Sequence, residues 1–151
     1  MPSARMSGWI WKTCERPPRW WPERWRICCA RRPDLAKLST HVLDTHGGTP
    51  AKGVRLRLYE RRDGQLILVK EAITNADGRT DEPLLSGAAI PTGRYRMVFD
   101  MASYFQARGV ALSDPPFLED VALEFGLADA HGSYHVPLVC TPWSYSTYRG
   151  S

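Results

Sequence analysis

No stretch of the 151-residue sequence approaches the roughly 20 consecutive apolar residues that a helix needs to span a bilayer. Its start also lacks the run of about 7–15 apolar residues that marks a secretory signal. Neither a membrane-spanning helix nor a membrane partner is expected, and no signal for a periplasmic or peroxisomal address is visible. Cysteine is nearly absent from the body of the chain. Three of the four, Cys14, Cys28 and Cys29, fall within the first 36 residues, which leaves Cys140 alone. That excludes a disulfide framework or a C-x-x-C metal pair in the body. Within PLVCTP, Cys140 reads as a small buried hydrophobe rather than a nucleophile, and this cysteine usage fits a reducing compartment. There is no G-x-S-x-G elbow, no histidine local to Cys140, and no glycine run that would cradle a phosphate.

A dominant charge is also missing from the body. The net charge of +4 arises at one end: residues 1–36 carry eight Lys or Arg against three Asp or Glu, and the remaining 115 carry twelve against thirteen. A near-neutral body gives no electrostatic footprint for nucleic acid. Residues 1–36 also hold five of the six tryptophans, with Pro17, Pro18, Pro22 and Pro33 interrupting any helical or strand period. This Arg/Trp mixture is compatible with weak binding to an anionic membrane or nucleic acid. The plainer reading is a disordered extension followed by one domain, residues 37–151. A leucine codon can serve as a bacterial start, so translation from near Leu35 is a second expectation. The intact mass of the native protein checks it, and a mass that includes residues 1–34 overturns it.

From Lys37 onward the pattern is period two, broken by turn residues. LSTHVLD, VRLRLYER, QLILVKEAIT, RYRMVFD, FLEDVALEFGL and SYHVPLVC read as strands, with a shorter apolar segment at DEPLL. In VRLRLYER, Val54, Leu56 and Leu58 point one way. Asp63-Gly64 is a type I′ hairpin signal, because that turn wants positive φ at both central positions. A second Asp-Gly pair, at 77–78, places Arg79 just beyond a turn. MASYFQARG is the one helix expected, with Gly109 as its stop. Seven or eight short strands with one short helix make an all-β, antiparallel β-sandwich or barrel, whose edges need covering or pairing with another subunit.

Four histidines are present. His46 and His131 lie in glycine-rich loops and read as solvated polar residues. His41 and His135 lie inside apolar strands, where an unpaired imidazole would cost several kcal/mol. On period two, His41 shares its face with Ser39 and Leu43, and His135 with Ser133 and Pro137. Singly, each reads as a satisfied structural histidine. No ligand set forms around them, and no metal is expected.

Taken in order, LSTHVLD, NADGR, SYHVPL and the terminal YSTYRGS resemble 5-hydroxyisourate hydrolase, the transthyretin-like enzyme of urate breakdown. RYRMVFDMASYF also resembles that family's strand-then-helix segment. The resemblance covers about Lys37 to Ser151 and leaves out the extension. It implies a transthyretin-like (prealbumin-like) β-sandwich that opens the ring of 5-hydroxyisourate with water. It also implies no metal or organic cofactor, and a homotetramer, a dimer of dimers, with sites at the subunit interface. A bacterial, cytoplasmic enzyme with only a small-molecule partner is the expectation. By position, the catalytic residues fall on His41, Arg79, His135 and Ser151, and the substrate-binding ones on Tyr148, Arg149 and Gly150. A histidine with a pKa near 6.5 suits deprotonation of the attacking water, and a guanidinium can meet a planar anionic edge with two hydrogen bonds. Which histidine is the base stays open. Ser151 would add a hydroxyl and the main-chain carboxylate, so a tag fused there should impair turnover more than one at the N-terminus. Two rivals remain: a transthyretin-like carrier that binds a small ligand without catalysis, and a plain adhesive sandwich.

Overall fold

The structure, a computed structural model, describes residues 35–150; the N-terminal extension and Ser151 lie outside the described residues. Its elements run β1 (Ala36–Asp44), β2 (Thr49–Pro50), β3 (Arg55–Arg62), β4 (Gln65–Ile73), β5 (Leu85–Gly87), β6 (Gly93–Asp100), α1 (Met101–Ala107), β7 (Asp120–Leu127), β8 (Ser133–Cys140) and β9 (Tyr145–Thr147). One sheet has the order β2-β1-β8-β9 with β5 also on β1, and the other has the order β4-β3-β6-β7.

Alternation decides which side chains are buried. Leu38 and Val42 of β1, Leu56 and Leu58 of β3, Met97 and Phe99 of β6, and Leu138 of β8 are buried together. Each such side chain contributes about 1.5–3 kcal/mol through removal from water. Polar groups on the same faces are satisfied: Thr40 donates to the Val136 carbonyl at 2.7 Å, and the buried Asp44 carboxylate accepts from Tyr104 at 2.9 Å and from the Gly47 amide at 2.8 Å. Burial and this carboxylate push the Tyr104 hydroxyl up to about 12. Asp100 caps α1 by accepting from the Ser103 amide. The helix buries Met101, Tyr104 and Phe105, and Gly109 follows with φ +77°. Asp63 and Gly64 both have positive φ, as the hairpin signal required.

The structure adds to the expected strands in three places. Thr49–Pro50 and Leu85–Gly87 pair with β1, and Tyr145–Thr147 pairs with β8. Two- and three-residue strands carry no period, so only their partners mark them. β1 begins at Ala36, two residues earlier than expected, and β7 starts at Asp120, within the FLEDVALEFGL segment. The antiparallel description also needs one amendment, because β1 and β8 run parallel, Lys37 to Asp44 matching Ser133 to Cys140. That pair sets the site.

Candidate active site

Parallel pairing places residues of equal parity on one face. Lys37, Ser39 and His41 of β1 lie beside Ser133, His135 and Pro137 of β8, with Ser39 directly opposite His135 and His41 opposite Pro137. Their neighbours Leu38, Thr40, Val42, Tyr134 and Val136 turn to the core. The two strand histidines therefore stand diagonally on the outer face of one sheet.

Arg79 reaches that face through a turn built by Asn75. The Asn75 side-chain oxygen accepts from the Asp77 amide at 3.0 Å and the Arg79 amide at 3.2 Å, and its carbonyl accepts from Gly78 at 2.9 Å. The turn then docks on β1: Val42 donates to the Gly78 carbonyl at 2.8 Å, and His41 and Arg79 form an isolated antiparallel bridge. Glycine is required at 78. Its φ is +70°, and a Cβ there would lie 2.4 Å from the Val42 carbonyl oxygen.

His135 is held from both sides. Its Nδ1 lies 3.0 Å from Ser39 Oγ. On the other edge, the Gly150 amide donates to the His135 carbonyl at 2.8 Å. A Cβ at Gly150 would lie 2.7 Å from Cδ2 of the ring, so the tail packs against the imidazole itself. Thr147, donating to the Pro137 carbonyl at 2.7 Å, fastens the same tail to β8.

Both imidazoles titrate below the ordinary 6.5. Burial is the larger cause for each, and the Arg79 guanidinium is next; Lys37 and His41 add to the effect on His135. The Asp77 carbonyl opposes the shift at His41. Nε2 of His41 is buried and has no hydrogen-bond partner among the described residues, which makes it an unfilled acceptor or donor at the centre of this face.

The structure thus brings His41, Arg79, His135 and Gly150 together. Tyr148 is exposed on the segment between β9 and Gly150. Arg149 is placed differently: its guanidinium lies over the Tyr134 ring, 5.0 Å from the centroid, and Tyr134 occupies the opposite face of β8 from His135. Ser151 lies outside the described residues. His46 is exposed, its ring edge-on to Trp143, and His131 is exposed with Nδ1 3.0 Å from the Ala88 carbonyl. Cys140 is buried with its thiol pushed up to about 12 by burial and by Asp44, which leaves it protonated and inert. Among the described residues no group of three His, Cys, Asp or Glu could hold a metal. Sequence reasoning missed the pairing of Ser39 with His135 and the charge of Lys37 on the same face. Only the period-two alternation of β1 hinted at either.

A cavity of about 570 Å³ lies on the other sheet, between Arg55, Arg57, Glu71 and Asp100, and none of the four residues just assembled lines it. The histidines stand on a sheet face instead. Fold and site together define a transthyretin-like sandwich that carries a cationic, histidine-bearing sheet face.

Residues 38–150 match the model of the HIUase/Transthyretin family, and the chain belongs to that family. It is 54% identical over 114 residues to 5-hydroxyisourate hydrolase of Deinococcus radiodurans, which covers 76% of this chain and 95% of that one. It is 51% identical over 115 residues to 5-hydroxyisourate hydrolase 2 of Rhizobium meliloti, covering 76% and 96%. Among solved structures it resembles Klebsiella pneumoniae 5-hydroxyisourate hydrolase (33% identity, TM-score 0.60, 77% and 94% covered). It also resembles sea bream transthyretin in complex with thyroxine (29% identity, TM-score 0.68, 76% and 95% covered).

Proposed function

We propose that this protein hydrolyses 5-hydroxyisourate to 2-oxo-4-hydroxy-4-carboxy-5-ureidoimidazoline, a ring-opening step of urate catabolism. The observation that carries the reading is the convergence of His41, Arg79 and His135 on one sheet face, in a chain about half identical to curated 5-hydroxyisourate hydrolases. A non-catalytic carrier has no use for two imidazoles held neutral beside a guanidinium.

In this scheme water is the nucleophile. One histidine, neutral at pH 7 because its pKa is lowered, takes a proton from the water as the oxygen bonds to the ring carbonyl carbon. The carbonyl becomes an oxyanion beside Arg79. The carbon–nitrogen bond then breaks, the carboxyl group forms, and the proton passes to the departing ring nitrogen. A placed base contributes roughly 10²–10⁴-fold and a charged donor at the oxyanion roughly 10²–10³-fold. Water and side chains suffice, so the scheme uses neither metal nor organic cofactor. Gly150 holds the tail against His135 and Tyr148 contacts the substrate, whereas Arg149, stacked on Tyr134, takes no part in the scheme.

An open sheet face excludes little water, and a second subunit facing it would close the site. We therefore assign a homotetramer with sites between its dimers. Exposed Trp143, Tyr145 and Tyr148, near the short edge strand β9, support burial in such an assembly. Cys140, the one thiol among the described residues, is buried and reduced, which fits a cytoplasmic setting.

The test is an absorbance trace. With 5-hydroxyisourate generated from urate by a urate oxidase, the wild-type protein should accelerate its decay over the spontaneous rate, and a His135→Ala variant should not. No acceleration by folded wild-type protein overturns the reading and brings the carrier forward.

A further inference from the structure

We propose that Ser39 is a positioning residue: it fixes His135 as the Nδ1–H tautomer and so leaves Nε2 as the atom that accepts the proton of the attacking water. The inference rests on the hydrolase reading of this site and selects between its two histidines. Ser39 Oγ lies 3.0 Å from His135 Nδ1 and 3.4 Å from the Tyr134 carbonyl oxygen. A hydroxyl has one proton to donate and two lone pairs with which to accept, and a carbonyl can only accept. Both contacts are satisfied together in one arrangement alone. The hydroxyl donates to the Tyr134 carbonyl, and Nδ1–H donates to the hydroxyl. Nε2 then carries the lone pair. The same bond survives the reaction, because the imidazolium formed when Nε2 takes the proton still donates from Nδ1, now as a charge-assisted hydrogen bond.

The parallel register makes this arrangement rigid. Ser39 stands directly opposite His135 on the neighbouring strand, so neither backbone needs to move for the contact. Gly150 closes the other side of the ring at a distance that leaves no space for a Cβ, which limits rotation of the imidazole away from Ser39. The charged and titratable groups acting on the ring are Lys37 and His41 from β1 and Arg79 from the Asn75–Gly78 turn. None of them supplies a hydrogen-bond acceptor to Nδ1, so the tautomer depends on Ser39.

The experiment reads the proton directly. In the full-length protein labelled with ¹⁵N-histidine, the two ring nitrogens of His135 are followed by NMR through a pH titration, in wild type, Ser39→Ala and Ser39→Thr. Wild type should hold Nδ1 protonated and Nε2 bare above its pKa. Ser39→Ala should move population toward Nε2–H and lower kcat about tenfold, a part of what a placed base supplies, with KM little changed because ground-state binding is untouched. Ser39→Thr, which keeps the hydroxyl, should restore both. An unchanged tautomer in Ser39→Ala overturns the proposal, and so does a shifted tautomer with undiminished kcat. If wild type itself does not accelerate 5-hydroxyisourate decay, the hydrolase reading fails. The NMR signals then still decide whether Ser39 sets the proton's place.

Discussion

Two nitrogen lone pairs and one guanidinium set how this site responds to pH. A base works only when neutral, and burial together with Arg79 lowers the pKa of both His41 and His135 below 6.5. Activity should therefore hold as pH falls past 6.5 and decline only lower, through the depressed pKa values. Replacing Arg79 by Gln removes a positive neighbour from each ring, so the acid limb of the kcat/KM profile should move up toward 6.5. In the same variant kcat should drop roughly 10²–10³-fold, the size of one lost oxyanion donor; a limb that stays in place counts against the coupling. Gly150→Ala tests the other side of His135. The new Cβ would sit 2.7 Å from the ring, so either the tail or the imidazole shifts, and activity should fall while the melting temperature stays nearly unchanged. His41, Arg79 and His135 were legible in the sequence because each sits in a short motif that resembles a known family. The diversion of Arg149 to the Tyr134 ring was not legible, since nothing local tells which face of an edge segment a long side chain will choose.

Among the elements, the Asn75–Gly78 turn does most to place charge, and its glycine is the point where it breaks. Gly78→Ala meets both an unfavourable φ and the Val42 carbonyl, and should destabilise the fold by about 1–3 kcal/mol. Because the turn carries Arg79, residual activity in folded variant should fall as well; chemical denaturation and the absorbance assay read the two effects separately. A second joint lies inside the sandwich, where Tyr104 of α1 donates to Asp44 at the end of β1. Tyr104→Phe would leave a buried carboxylate short of a donor and should cost about 1–3 kcal/mol. A change under 0.5 kcal/mol in denaturant melts would mean the carboxylate finds another partner. The long strands and the helix were readable from alternation and capping. Their very short companions β2, β5 and β9 were not, because pairing with β1 or β8 is what makes them strands.

For the molecule as a whole, both sheets end in edges that something must cover. β4 is the edge strand of its sheet and leaves Leu66, Ile67, Leu68 and Val69 exposed, a hazard for edge-to-edge association. Leu68→Lys, remote from the histidines, should reduce aggregation on heating, seen by light scattering, at unchanged turnover. The tetramer proposal predicts a solution mass four times the 17.1 kDa of one chain, and sedimentation equilibrium checks it. A sandwich was evident from composition and period, but the parallel β1–β8 pair was not. Partner choice between strands some 96 residues apart leaves no mark in either strand's own pattern.

That pair also gives the histidine-bearing face a place in time. The β3–β4 hairpin can close as soon as both strands exist, whereas Ser39 meets His135 only after the chain has looped over nearly its whole described length. Contacts so distant in sequence form slowly, on the millisecond-to-second scale typical of β-sandwiches. A newly made or refolding chain therefore acquires its hairpins before its chemistry. Enzymatic turnover becomes a clock for the last closure, and its recovery should lag behind the optical signals of collapse.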